Sequence, residues 1–93
     1  MSQILEDFSA YLINSERSSS TVKNYTADLF HFEKWFLETN GCAILAPSDV
    51  TPTDLREFKQ FLLINKEMKP ASVNRRLASL RSFLKWADRK SVV

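Results

Sequence analysis

Apolar residues along this chain return every three or four positions, with no stretch in which they alternate singly with polar ones. That period belongs to helices whose one side is buried. A first helix is predicted over about Ser2 to Asn14, its stripe made by Leu5, Phe8 and Leu12, with Ile4 and Tyr11 as further candidates. "NSERSSS" follows as a polar loop ending in a helix cap. The second helix starts after Ser19 or Ser20 and runs to about Asn40, with Val22, Tyr25, Leu29, Phe32 and Phe36 on one side. Asn40-Gly41 stops it, since both residues tolerate positive φ.

Ile44, Leu45 and Val50 in the loop "GCAILAPSDV" are expected to plug the core. The third helix opens at "TPTD": Thr51 suits the cap, Pro52 the first turn, and Asp54 the capping-box offset. Leu55, Phe58, Phe61 and Leu62 are its core candidates, with Ile64 as a further one, and it ends near Lys66. Pro70 closes that segment and admits a fourth helix from Ala71 or Ser72 to Arg89. Four helices with short links imply an all-α fold, a compact four-helix bundle. The chain has 93 residues, of which 44% are hydrophobic, which suits one domain over positions 1–93. A domain of that size hides roughly 60–70% of its unfolded surface.

Charge changes the picture. From Lys69 to Lys90 there are seven Lys or Arg and one acid, whereas the preceding residues carry six bases and ten acids; the halves, +6 and −4, give the net +2. Such a split points to a partner for one face. On the fourth helix, Val73, Leu77, Leu80, Leu84 and Ala87 set the core direction. Arg75, Ala78, Ser79, Ser82, Lys85 and Arg89 then point outward, with Asn74 and Arg81 at the flanks and Arg76 near the core edge. On the second helix the outward set is Lys23, Asn24, Ala27, His31 and Lys34. Small residues between long donors make both faces basic and low in relief, as a helix entering a DNA major groove requires. Thr21 and Ser20 could add hydroxyl contacts to phosphate. A solvated face is the ordinary alternative reading of charged helix residues.

Other features carry less. His31 stands alone, so no metal site is expected, and no cofactor motif is present. Glu6, Asp7, Asp28 and Glu33 read as solvated charge. Trp35 and Trp86 could stack on nucleic acid, although partly buried packing is the commoner role of a large helix aromatic; Trp86 falls away from the core direction and could instead dock another domain. Tyr11 and Tyr25 read as core. No set of residues points to an enzyme. No apolar run approaches a membrane span, the acidic N-terminus argues against export, and the lone Cys42 fits a reducing, cytoplasmic compartment.

Three stretches resemble a known family. "SSSTVKNYTADLFHFEKWF" resembles the Ser/Thr–x3–Tyr–x2–Asp-Leu–x2–Phe stretch of the SAM-like, core-binding N-terminal domain of phage integrases and other tyrosine recombinases. "VTPTDLREFKQFL" and "KPASVNRRLASLRSFLKWA" resemble its third- and fourth-helix stretches, so the resemblance covers about Leu5 to Asp88. It implies half of a clamp on double-stranded DNA, with the second and fourth helices near the major groove. It also implies a separate catalytic domain, absent here, that cleaves with a tyrosine; neither Tyr11 nor Tyr25 matches that tyrosine. Carried over by position, the DNA-binding candidates are Thr21, Lys23, Asn24, Ala27, Asn74, Arg75, Ser79, Ser82 and Lys85. The first helix of the family also implies protomer contacts on DNA, for which Ile4, Leu5 and Ile13 are candidates. A different class stays open on the residues alone: a helical protein-interaction module docking an acidic partner through its basic face.

Overall fold

In the structure, a computed structural model that describes residues 3–15, 17–41 and 45–90, the periodicity becomes four helices. They are α1 (Gln3–Asn14), α2 (Ser19–Asn40), α3 (Pro52–Ile64) and α4 (Pro70–Lys90), with a short 3-10 turn at Pro47–Asp49. No strand occurs among the described residues, so the chain is all-α.

Local chemistry fixes the ends. Ser18, rather than the expected Ser19 or Ser20, caps α2: its Oγ accepts the Thr21 N–H at 3.1 Å. Gly41 ends the helix with φ 63°, a left-handed conformation that glycine adopts without cost. At α3 the capping box is complete, with the Asp54 N–H donating to Thr51 Oγ1 at 3.2 Å and the Thr51 N–H to Asp54 Oδ2 at 2.8 Å. Pro70 itself begins α4.

Leu5, Phe8 and Leu12 of α1 meet Leu29, Phe32 and Phe36 of α2, Phe58 and Leu62 of α3, and Val73, Leu77, Leu80 and Phe83 of α4 in one core. Rings organise its two ends. Phe8 packs against Phe83 and Trp86 at 5.4 and 5.2 Å between centroids. Phe58 packs against Phe32 and Trp35, each at 5.1 Å. Leu45 is buried and Val50 packs beside it, as expected of core plugs; Ile44 lies outside the described residues.

Several expectations are corrected. Phe83, absent from the wheel's core set, is fully buried, whereas Leu84 is only half-buried. The interior of α4 is therefore turned by roughly 40° from the axis drawn through its aliphatic residues, toward Phe83 and Ser79. Trp86 follows that rotation and packs on Phe8, Tyr11 and Phe83 instead of standing clear. Ile64 is exposed at the end of α3, and Tyr11 keeps one edge in solvent while stacking on Phe8. Of the residues considered for protomer contacts, Leu5 is core and Ile13 is exposed. Asp28 and Glu33 are not solvated charges; they are 3% and 7% exposed.

Candidate nucleic-acid interface

The burial of Asp28 organises the surface above it. The carboxylate lies at the α2–α4 seam, where Ser79 Oγ donates to its Oδ2 at 2.8 Å and Arg75 Nη2 to its Oδ1 at 3.3 Å. Arg76 Nε lies 3.8 Å from Oδ1, an ion pair too long for a hydrogen bond. A buried carboxylate needs such company, because removing it from water without donors is costly. Two arginines and a serine of α4 thus hold one acid of α2, setting the spacing and register of the two helices.

Ser79 is therefore a correction. It belongs to the nine sequence candidates but is fully buried beneath the surface it was expected to form, bonded to Asp28 and to the Arg75 carbonyl. The cause is the rotation of α4: with the interior turned toward Phe83, position 79 enters the seam. The others stay at or near the surface. Lys23, Asn24 and Ala27 are exposed on α2, and Asn74 and Lys85 on α4. Ser82 and Thr21 are half-buried, and the Thr21 hydroxyl already pairs with Ser18 Oγ at 2.8 Å. Arg75 keeps 51% of its side chain exposed while reaching Asp28, so it serves both the seam and the surface. Arg81, assigned to a flank, joins the exposed row with Asn74, Ala78 and Lys85.

The helices run antiparallel along the seam. Tyr25 shares a groove with Ser82, Asp28 bonds Ser79, and His31 shares a second groove with Arg76. The first groove, about 230 Å³, collects Arg17, Lys85 and Arg89 around Tyr25 and Ser82. The Arg17 guanidinium lies 5.9 Å from the centre of the Tyr25 ring, a cation–π contact. The second, about 770 Å³, opens where the C-terminal half of α2 meets the α3–α4 corner. His31, Lys34, Lys66 and Arg76 surround it over a floor that includes Trp35 and Phe61, with Glu38 as the acid at its edge. The Lys66 ammonium lies 5.7 Å from the centre of the Phe61 ring.

Burial first, then the Arg76 guanidinium, with Lys34 and Lys66 also contributing, push the His31 imidazole below the ordinary histidine range against the opposing pull of Asp28. Sequence reading placed His31 and Lys34 on the outward face of α2 but did not connect them with Lys66, which lies past the end of α3 where periodicity carries no information. Among the described residues, no group of three or more His, Cys, Asp or Glu is placed to hold a metal ion, and no helix is long and apolar enough to cross a membrane.

The model of the phage integrase N-terminal SAM-like domain matches residues 5–91. Tyrosine recombinase XerC of Myxococcus xanthus is 35% identical over 94 aligned positions, covering 100% of this chain and 30% of the relative. Its counterpart from Treponema denticola is 31% identical over 90 positions, covering 96% of this chain and 28% of the relative. That from Chlorobaculum tepidum is 30% identical over 71 positions, covering 74% and 21%. The chain thus spans less than a third of the length of the curated relatives it matches. No solved structure matches it. From the matched span, and from a four-helix fold that agrees with it, the chain belongs to the phage integrase N-terminal SAM-like domain family.

Proposed function

We propose that this chain is the DNA-binding module of a tyrosine site-specific recombinase or integrase. It grips the recombination site through the outer faces of α2 and α4, while a separate catalytic domain of the whole protein cleaves the strands. The observation that carries this reading is the Asp28 seam, which holds α2 and α4 at one register with Lys23, Asn24 and Ala27 exposed on one and Asn74, Arg75 and Lys85 on the other. Lys and Arg supply sequence-independent attraction to phosphate. The small residues Ala27 and Ala78 leave room for close approach, and Asn24 and Asn74 can pair with base edges. The module itself does binding and no chemistry; recombination needs the reacting groups of the catalytic domain.

The test is a titration of the isotopically labelled 93-residue chain with a duplex of 20 base pairs, followed by amide chemical shifts. Changes concentrated at Lys23, Asn24, Ala27, Asn74 and Lys85 are expected. Changes confined to α1 and α3, or none at low salt, would refute the reading. Lys23→Ala and Lys85→Ala should each weaken binding on all sequences alike and flatten the salt dependence by about one charge.

A further inference from the structure

The groove lined by His31, Lys34, Lys66 and Arg76 holds more positive charge than its own structure uses. Asp28 lies behind it, already engaged by Ser79 and Arg75, and a single carboxylate is thus shared between Arg75 and the longer 3.8 Å ion pair to Arg76. Arg76 Nε is buried without a hydrogen-bond partner. Lys66 has a ring contact with Phe61, and neither Lys34 nor Lys66 forms an ion pair among the described residues. Opposite these groups the one acid at the groove is Glu38. Aromatic and aliphatic walls from Trp35, Phe61 and Leu62 exclude water from one side, which strengthens the field of the cations within.

We propose that this groove is an anion site that takes a phosphodiester of the DNA backbone, with Lys34, Lys66 and Arg76 as its charges and His31 as a hydrogen-bond donor that is protonated when the phosphate is bound. The inference rests on the reading of α2 and α4 as the DNA face and extends it: His31 and Lys34 lie on the same exposed side of α2 as Lys23, Asn24 and Ala27. From Lys23 to Lys34 the helix rises roughly 16 Å. That exceeds the ≈ 12 Å width of a major groove, so a duplex seated over Asn24 and Ala27 brings a phosphate strand to the groove mouth. A phosphate fits better than a protein segment because the site continues a face whose other donors suit a duplex.

The charged groups facing His31 are Asp28, Lys34 and Glu38 on its own helix, Lys66 beyond α3, and Arg76 on α4. In the free chain the cations and partial burial disfavour a charged imidazole. A phosphate reverses that balance, so binding takes up a proton at His31 and tightens as pH falls. Since His31 is the sole histidine of the sequence, it is the sole side chain with an ordinary pKa between pH 5 and 8.

The affinity of the 93-residue chain for a 20-base-pair duplex is measured between pH 5.5 and 7.5, for the wild type and for His31→Gln, alongside the NMR titration of the imidazole with and without duplex. The wild type should tighten several-fold on acidification, approaching tenfold for an upward displacement of one pKa unit on binding. The imidazole pKa should rise when duplex is added, and His31→Gln should abolish the pH dependence. Lys66→Ala should weaken binding and reduce the rise. Equal pH profiles for wild type and His31→Gln, while Lys23→Ala still weakens binding, would overturn the groove assignment and leave the α2–α4 reading intact. No effect of Lys23→Ala, Lys85→Ala or His31→Gln would remove both. Binding of a pentapeptide Asp-Glu-Phe-Asp-Glu at the groove, with no change at His31 on adding duplex, would overturn the assignment in favour of a protein ligand.

Discussion

Ser79 Oγ donates a 2.8 Å hydrogen bond to Asp28 Oδ2 across the α2–α4 seam, with the serine fully buried and the aspartate nearly so. Hydrogen bonds to charged groups are worth more than neutral ones, and their loss strands the remaining partner. Ser79→Ala should destabilise the chain by about 2 kcal/mol. Asp28→Ala should cost more, about 3 kcal/mol, because Arg76 is then left at the core edge without its acid. Urea unfolding followed by circular dichroism measures both, and a double-mutant cycle should show strong coupling. Additive losses would mean that the seam is not a unit.

The rotation of α4 makes a second prediction. Phe83→Ala should cost about 3–5 kcal/mol and Leu84→Ala distinctly less, since the first residue is fully enclosed and the second half-buried. Equal losses, or a larger one at position 84, would restore the axis drawn from the aliphatic residues alone.

Glu33 is 7% exposed, and its Oε2 accepts no hydrogen bond among the described residues. An unpaired buried carboxylate oxygen opposes folding. Glu33→Met should therefore raise the melting temperature, by an amount equivalent to about 1 kcal/mol. A fall would show that the carboxylate has a favourable role.

His31 sets the sign of one pH effect on folding. Its folded pKa lies below the unfolded value of 6.5, so below that pH the unfolded chain binds more protons than the native one. Stability should fall as pH drops through 6.5 toward the folded pKa and should level off above 6.5. His31→Gln should remove this slope from melting curves taken between pH 5.5 and 7.5; an unchanged slope would place its origin in the carboxylates. Proton uptake at His31 on binding a phosphate would act in the opposite direction over the same range.

The fold was legible because each helix announces itself twice, in periodicity and at its ends. Thr51, Pro52 and Asp54 state the start of α3 in sequence, and the structure closes the same capping box. Asn40-Gly41 and Pro70 mark boundaries with similar economy. On α2 the outward row of Lys23, Asn24 and Ala27 was readable, because large apolar side chains on the other side fix the wheel. On α4 the aliphatic residues alone give the wrong interior direction. Counting aliphatic residues omits the weight of Phe83 and cannot know that Ser79 and Arg76 turn inward to meet Asp28. That meeting joins positions 51 residues apart in the chain, which periodicity cannot express. The groove around His31 was hidden for a related reason: its cations come from three separate segments.

A clasp of this kind separates two tasks that small domains usually share. Support lies in the acid, the serine and the rings beneath, while the outermost positions Asn24, Ala27, Asn74, Ala78 and Lys85 hold up little of the interior. Their side chains can be exchanged with small thermodynamic penalty as long as the pin between the rods remains. A module organised in this way is a scaffold whose outer surface can be rewritten without refolding the chain beneath it.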